Sequence, residues 1–373
     1  MSETASLSST SRFLLTFAAI VVVCAGIQAA ATLLIPFMVS IFLAIITAPT
    51  VTRLQAVGVP TLVALAAVLL AMLLVGSGVI LLAGASIVDF LQDMPLYQYR
   101  LETELHDLQV WLREKGWIES DEALGSYLDS KTAVAYFGQM LASLSNLFNQ
   151  AILIFLTTMF IILEMSGFPA KVEAIGAADS KAYHSVQRII ADVRQYMLIK
   201  SGTSLLTAVL VVLLLWRIGV NYCLLWGLLA FLLNFIPNIG SIIAGVPVVL
   251  LAWIQLGIGS AVWTTIGYVA INFGIGYFLE PRVMGRGLGL STLVVFVSLV
   301  FWGWLLGPIG MFLSVPLTMI LKTALEAGET TKWIAVLIGP EVTGSEHIKQ
   351  SAEETSEAVR DSAAPEGASE QTT

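Results

Sequence analysis

The chain reads Pro237-Asn238-Ile239-Gly240 and then continues as an apolar run to Pro247. A similar stretch follows 70 residues later, where residues 307–310 read Gly-Pro-Ile-Gly and an apolar run leads to Pro316. In lipid, an unpaired backbone group costs several kcal/mol, so Pro and Gly break a membrane helix only where protein or a water-filled cavity replaces the lost bonds. Broken segments at matching positions in two halves of a chain are the best sequence indicator of a transporter's binding site.

The composition is that of a membrane protein. Hydrophobic residues make up 57% of the chain and charged residues 12%, against about 25% charged residues in a typical soluble domain. Apolar stretches near the roughly 17–25 residues that cross a bilayer recur along the sequence. There are ten of them: 13–28, 33–50, 62–88, 147–164, 202–216, 222–235, 241–256, 260–278, 291–306 and 311–325. Several are short, so about eight full transmembrane helices plus re-entrant or broken hairpins explain the sequence equally well. The predicted fold class is an all-α polytopic membrane protein.

The chain divides into five predicted regions. They are N-terminal transmembrane helices (1–88), an extracytoplasmic helical insertion between the third and fourth spans (89–146), the fourth span with a cytoplasmic amphipathic helix (147–201), a C-terminal transport region with both broken hairpins (202–335) and an acidic cytoplasmic tail (336–373). Leucines at helical spacing favour a helix in the insertion. The tail is rich in Ser, Ala, Glu and Thr and has too little apolar surface to fold, so we predict that it is disordered.

The distribution of basic residues predicts the orientation. Arg12 and Arg53 flank the first hairpin, and residues 171–200 hold five basic and three acidic residues. Under the positive-inside rule both regions are cytoplasmic, both termini are cytoplasmic and the acidic insertion lies outside. The first copy of the repeated stretch is then entered from outside and the second from inside, as an inverted-topology repeat requires. Chance matches in Gly- and Pro-rich membrane sequence explain so slight a similarity equally well.

Several function classes are disfavoured. His106, His184 and His347 all lie outside the apolar segments, which removes an intramembrane Ser-His protease and a His-Glu metalloprotease. The sequence has no Gly-x-x-x-x-Gly-Lys-Ser/Thr phosphate loop and hence no ATP motor of its own. A net charge of −8 argues against nucleic-acid binding. We therefore predict a protein that is not an enzyme, with no catalytic residue, no metal and no cofactor.

Polar residues at membrane depth are the candidate site. Asn234 and Asn238 flank the first break and would either repair its backbone or face a solute. Asn272 lies within an apolar segment and would either bond a neighbouring helix or contact the solute. Glu280 is a carboxylate near the membrane interior, which is a functional hypothesis by default, although an interfacial ion pair with Arg282 is the alternative. The predicted substrate- or ion-binding residues are Asn234, Pro237, Asn238, Gly240, Asn272, Glu280, Gly307, Pro308 and Gly310, and the predicted hinge residues are Pro247, Pro281, Gly285 and Pro316.

Three motifs carry a family resemblance. The stretch 235–240 with Pro247, the run 280–285 that reads Glu-Pro-Arg-Val-Met-Gly, and the stretch 301–310 with Pro316 together resemble the autoinducer-2 exporter family of bacterial inner-membrane permeases. The likeness covers most of 10–335 and is most specific over 186–325. Asn238 stands where the family often has an aromatic residue. The resemblance implies a multi-pass transporter of the inner (plasma) membrane that forms a homo-oligomer; some members are linked to export of autoinducer-2, and others look like sodium- or lithium-proton antiporters.

Three hypotheses follow. The first is a secondary transporter that exports a small polar solute, such as autoinducer-2 or a related metabolite, by alternating access at the broken helices. Glu280 would couple transport to H⁺ or Na⁺. The second is a Na⁺(Li⁺)/H⁺ antiporter, and the third is a membrane scaffold that recruits partners through its outer helical region or acidic tail. The predicted partners are the lipid bilayer, the solute, the coupling ion and further copies of the chain.

Overall fold

The computed structural model describes residues 9–116, 138–139, 141–142, 145, 149–174, 181–237, 239–284, 289–328 and 331–339. Asn238, Gly285, most of 117–148 and the predicted disordered tail from residue 340 onward lie outside the described residues. The regular structure of the described residues is helical. In order it comprises α1 (Ser9–Ala29), α2 (Ala31–Ala56), α3 (Thr61–Glu114), α4 (Ala151–Ala174), α5 (Lys181–Ile218), α6 (Cys223–Leu233), α7 (Gly240–Leu256), α8 (Ile258–Phe273), a π-helix (Gly274–Leu279), α9 (Glu280–Met284), α10 (Thr292–Phe312), α11 (Ser314–Ala327) and α12 (Lys332–Ile338).

The helices confirm the all-α membrane fold. Among the described residues, five helices are long and apolar enough to cross a bilayer: Ala31–Ala56, Thr61–Glu114, Val186–Ile218, Ile258–Met284 and Thr292–Phe312. Four further apolar helices are shorter: Leu14–Ala29, Ala151–Met165, Cys223–Leu233 and Gly240–Leu256. Large apolar side chains such as Val22, Leu74 and Trp216 are exposed. Such exposure would be costly in water, but the hydrocarbon of a bilayer accepts it.

Helices α2 and α4 pack through buried hydroxyl groups. The Ser40 Oγ lies 2.7 Å from the Pro36 carbonyl of its own helix and 3.0 Å from the Ile154 carbonyl of α4. Thr158 Oγ1 donates to the same Ile154 carbonyl at 2.7 Å. Both hydroxyl-bearing residues are fully buried, so this contact satisfies polar groups where lipid could not.

Two helical hairpins contain the repeated sequence. In hairpin 1, formed by α6 and α7, the base is closed by the Asn221 backbone N–H, which donates to Gln255 Oε1 at 2.9 Å. In hairpin 2, formed by α10 and α11, Trp302 Nε1 donates to Thr318 Oγ1 at 3.1 Å. Lys322 Nζ donates to the Gly289 carbonyl at 2.8 Å, closer to the base. The tips of the hairpins are residues 234–239 and 307–313.

The hairpins point toward each other along α5. In the first, Gly227 near the base lies against Ala208 and Val212 of α5, and Asn234 at the tip bonds Ser204. In the second, Gly289 and Lys322 near the base line one cavity with Arg188 and Asp192 of α5. Leu305 and Leu306 just before its tip, and Leu313 within the tip, pack in one cluster with Val193 and Met197. The bases therefore lie at opposite ends of α5, and the tips converge on its middle.

A single span returns antiparallel to α5. It comprises α8, the π-helix and α9. Gly267 lets it approach Leu214 near one end of α5, and Tyr268 lies against Gly245 of hairpin 1. Small residues at such crossings allow membrane helices to pack closely. At the other end of this span, Glu280 reaches Lys200 of α5.

The distal half of α3 is attached to the base of hairpin 1. Tyr222 donates its hydroxyl hydrogen to Asp93, and Trp253 Nε1 donates to Glu104 at 3.2 Å. Gln255 Nε2 donates to the Tyr97 hydroxyl at 2.9 Å. The described part of the predicted extracytoplasmic insertion is thus largely a continuation of α3.

Candidate functional site

The tip of hairpin 1 is a tight chain reversal. Around Pro237, the Ile236 N–H bonds the Leu233 carbonyl at 2.9 Å and the Gly240 N–H bonds the Ile236 carbonyl at 3.2 Å. A Cβ on Gly240 would stand 1.7 Å from the Leu233 carbonyl oxygen. Because any side chain would collide with backbone there, the sequence needs glycine at this position. The backbone repairs its own break, so the Asn234 side chain is free to bond elsewhere.

The tip of hairpin 2 uses glycine twice. Gly307 has φ 68° and ψ −153°, a conformation that only glycine adopts readily, and it turns the chain out of the first half of α10. A Cβ on Gly310 would stand 1.9 Å from the Trp302 carbonyl oxygen. In both hairpins, therefore, the repeated Ile-Gly places its glycine against a carbonyl at the end of the preceding helix.

The two tips meet. Phe235 of hairpin 1 stacks on Phe312 of hairpin 2 with ring centroids 4.3 Å apart and an interplanar angle of 30°. Phe235 is 3% exposed. The helices that leave the tips, α7 and α11, both begin in this region, so their positive dipole ends lie there.

Helix α5 presents a buried polar stripe beside the tips. Lys200, Thr203, Ser204 and Thr207 follow one another at helical spacing, and all four are buried. The amide nitrogen of Asn234 donates to Ser204 Oγ at 2.9 Å. Thr203 and Thr207 bond carbonyls of α5 itself. Asn234 thus joins hairpin 1 to the stripe.

Glu280 joins the same stripe one turn away. Lys200 Nζ lies 2.7 Å from Glu280 Oε1, with side-chain exposures of 6% and 18%. The partner of Glu280 is therefore Lys200 rather than the neighbouring Arg282, which is exposed. The six-residue π-helix Gly274–Leu279 ends immediately before Glu280. π-helical segments are rare in proteins, and those that occur are often found at functional sites. This segment therefore supports Glu280 as a candidate site residue independently of the ion pair.

A cavity opens on the far side of the ion pair from the Asn234–Ser204 bond. Its volume is about 230 Å³, and its lining includes Arg188, Asp192, Tyr196, Lys322 and Glu326. Tyr196 is one turn before Lys200 and is buried at 3% exposure. Under the predicted orientation this cavity faces the cytoplasm.

Among the described residues, the remaining predicted ones form no side-chain hydrogen bond or ion pair with the hairpin tips, the polar stripe of α5 or the Lys200–Glu280 pair. The Asn272 amide donates to the Tyr268 carbonyl of its own helix at 2.8 Å. Pro308 and Pro281 are exposed, whereas Pro247 and Pro316 are buried in α7 and α11. Asn238 and Gly285 lie outside the described residues. No group of three potential metal ligands occurs in the part of the chain that the structure describes.

Sequence reasoning missed Lys200 and Ser204. Lys200 is the last of the five basic residues in 171–200, the stretch that the positive-inside rule assigns to the cytoplasm. The available signal was its position inside a helical pattern that continues through Thr203, Ser204 and Thr207. A charge followed by three hydroxyl residues on one face of an apolar helix predicts a polar lining.

Comparison with known proteins agrees with the architecture. The model of the family described as AI-2E family transporter matches residues 15–330. "AI-2 transport protein TqsA" of Escherichia coli strain K12 is 39% identical over 321 residues, which cover 86% of this chain and 93% of that protein. A Haemophilus influenzae protein is 37% identical over 334 residues, covering 88% and 96%. YhhT of Escherichia coli strain K12 is 35% identical over 329 residues, covering 88% and 94%. The chain therefore belongs to the AI-2E family of membrane transporters.

Proposed function

We propose that this transporter exports a small polar solute, with autoinducer-2 (AI-2) as the first candidate, through the region where the hairpin tips meet. The observation that carries the proposal is the stacking of Phe235 on Phe312 beside the buried stripe of α5. Two broken helices, a polar stripe and a partly buried ion pair lie close together there. The AI-2 assignment derives from the name of the relative TqsA.

The chemistry of the tips suits a hydroxyl-rich or anionic solute. The positive dipole ends of α7 and α11 at the tips favour negative charge. Asn234 and Ser204 add an amide and a hydroxyl. From the predicted set, we assign solute contact to Asn234, Pro237 and Gly240 on one tip and to Gly307, Pro308 and Gly310 on the other. Asn238 and Asn272 complete the proposed set, and Glu280 serves ion coupling.

The arrangement of the hairpins supports alternating access. One hairpin is based at each end of α5, and each shields the tip region from its own side. Movement of hairpin 1 would open the site in one direction, and movement of hairpin 2 would open it in the other. Pro247, Pro281, Gly285 and Pro316 are the proposed hinges. The same arrangement is what an inverted repeat would produce.

The test is transport by purified protein in liposomes. We expect saturable flux of labelled AI-2 that unlabelled AI-2 inhibits. Asn234→Leu should raise the half-saturating concentration about tenfold, the equivalent of one lost hydrogen bond of about 1.4 kcal/mol. Gln28→Leu, which removes an exposed amide of α1, is the matched control and should transport normally.

The scaffold hypothesis predicts different results in this assay. A scaffold would show no saturable flux of any labelled polar metabolite. It would also lose its function on removal of residues 340–373, a change that should leave the proposed transport intact. Flux that no unlabelled solute inhibits would contradict a defined binding site.

A further inference from the structure

The Lys200–Glu280 pair carries an inference about ion coupling that rests on the proposed transport function. Lys200 is the charged residue among the buried polar residues in the described part of the chain. Its ammonium lies 2.7 Å from Glu280 Oε1, and the open cavity is lined by the neighbouring residues Tyr196, Ile199 and Met284. The carboxylate thus already holds a cation, close to the cavity from which a coupling cation would enter.

We propose that Lys200 is the resident counter-cation of Glu280 and that a monovalent coupling cation binds to Glu280 by displacing it. The incoming cation is either a proton, which converts the carboxylate to the neutral acid, or an alkali-metal ion, which the carboxylate oxygens bind directly. In both cases no covalent bond to Lys200 forms or breaks. The net charge of the pair rises from zero to +1.

The surrounding charges direct the outcome. Facing Glu280 are Lys200 and the Tyr196 phenol from α5, while Arg282 follows on its own helix and is exposed. The cavity lining adds Arg188 and Asp192 of α5 and the Lys322–Glu326 ion pair of α11, whose Nζ–Oε1 distance is 3.4 Å. A released Lys200 ammonium in the closed interior lacks a partner, and the carboxylates of Asp192 and Glu326 lie on the cavity side. The cation-bound state therefore favours the conformation in which the cavity reaches Lys200.

Competition between Lys200 and the cation is what allows release. With Lys200 present, the carboxylate can exchange one positive partner for another and is never left buried alone, which would be strongly unfavourable. Without Lys200, the coupling cation would have no competitor and would leave slowly. Lys200 is thus a positioning residue that sets the affinity of Glu280 for the coupling cation.

The experiment measures cation binding without any solute. The thermal unfolding midpoint of the purified protein is followed against NaCl, LiCl, a choline chloride control and pH. A ligand that binds only the folded protein raises this midpoint by an amount that grows with the logarithm of one plus the ratio of free ligand concentration to Kd. We expect the midpoint of Lys200→Met to begin to rise at a cation concentration at least tenfold lower than that of wild type. If the cation is the proton, that shift appears at a pH at least one unit higher.

Companion variants separate coupling from folding. Glu280→Gln and the neutral double variant Lys200→Met with Glu280→Gln should show no cation-dependent shift. Lys200→Arg keeps a counter-cation that can pair bidentately with the carboxylate, so its midpoint should begin to rise at a cation concentration equal to or higher than that of wild type. Arg217→Met removes an exposed charge at the other end of α5 and should leave the midpoint curves unchanged.

The outcomes are decisive. Equal midpoints for wild type and Lys200→Met, a shift retained in Glu280→Gln, or no cation-dependent shift in wild type would each overturn the inference. The double variant in liposomes should exchange labelled AI-2 across the membrane but not accumulate it against a gradient. Full gradient-driven accumulation by that variant would assign the pair a structural role. Absence of AI-2 flux in wild type would refute the proposed substrate, while the cation measurements would still stand.

Discussion

Ser204 and Lys200 stand one turn apart on α5, and each bonds a residue from a different part of the chain. Ser204 accepts from Asn234, 30 residues later, and Lys200 pairs with Glu280, 80 residues later. Side chains at this spacing lie on the same face of a helix. Asn234 and Glu280 therefore become neighbours through α5 although 46 residues separate them in the sequence.

The Asn234–Ser204 bond can be measured by a double-mutant cycle. We expect Asn234→Ala and Ser204→Ala to be non-additive by about 0.6–1.7 kcal/mol, the range for interhelical hydrogen bonds in membranes. The measurement is the free energy of unfolding in mixed micelles. Thr265→Ala, which removes a hydroxyl bonded within α8, should show no coupling to Asn234→Ala. Additive losses for the Asn234 and Ser204 variants would mean that the bond does not form.

At the residue scale, the sequence predicted the polar residues that interrupt apolar segments but did not predict the residues with which they bond. Asn234 and Glu280 were found because polar groups inside apolar segments are costly. Lys200 could not be distinguished from a cytoplasmic surface lysine, because positive charge at a span's end is ordinary for a membrane protein. Only the packing of α9 against α5 makes that lysine internal.

At the scale of elements, the hairpin tips depend on glycine for space. Gly240→Ala and Gly310→Ala would each place a methyl group within 2 Å of a backbone carbonyl oxygen. We expect each to lower the free energy of unfolding by at least about 3 kcal/mol, the upper range for overpacking, because backbone cannot rotate away. Gly276→Ala is the matched control, since its Cβ would meet nothing within 4 Å.

The readout is the thermal midpoint and yield of folded protein in detergent. Gly276→Ala should equal wild type within the error of the assay, and both tip variants should lose most of their folded yield. Normal stability of Gly310→Ala would contradict the close approach to Trp302.

The element scale is where sequence reasoning succeeded best. Pro237, Gly240, Pro308 and Gly310 signalled broken helices, because each either lacks a donor or tolerates a turn that other residues avoid. The contact between the two hairpin tips through Phe235 and Phe312 was not predictable, since apolar sequence does not indicate which aromatic rings meet. For Asn272 the sequence favours a hydrogen bond to a neighbouring helix over solute contact, and in the structure its amide bonds the Tyr268 carbonyl within α8.

At the scale of the whole molecule, α3 is far longer than a bilayer is thick. Its 54 residues span about 80 Å at 1.5 Å per residue, against about 30 Å of hydrocarbon. The distal half is held to the base of hairpin 1 by Asp93, Tyr97 and Glu104. The helical spacing of leucines predicted a helical outer region, but only the structure shows that this helix is continuous with the third span.

The attachment of α3 predicts a pH-dependent stability. Burial, followed by the hydrogen bond to Asp93, raises the pKa of the Tyr222 phenol above its ordinary value of 10.0. Because the pKa is higher in the folded protein than in the unfolded chain, the neutral phenol stabilises the fold below about pH 10. This stabilisation is lost as the pH rises further. Tyr222→Phe should lower the free energy of unfolding by about 1.5–3 kcal/mol at pH 8, the range for bonds to charged groups.

The measurement is the difference in thermal midpoint between wild type and Tyr222→Phe from pH 8 to pH 11. The difference should shrink toward the alkaline end, because only wild type loses stabilisation there. Tyr99→Phe, an exposed tyrosine on α3, should show no difference at pH 8. A constant gap across the pH range would rule out titration of Tyr222.

The stacked rings of Phe235 and Phe312 have a pharmacological consequence. Since the two hairpins touch at their tips and are based at opposite ends of α5, a compound that fixes one hairpin alters the freedom of the other. Linkage makes that effect reciprocal: an inhibitor bound at one face changes solute affinity at the opposite face by the same factor as the solute changes inhibitor affinity. Under the proposed function, inhibitors therefore need not reach the proposed solute region, and those that bind the hairpin at one end of α5 are expected to be non-competitive with solute that reaches the tips from the other end.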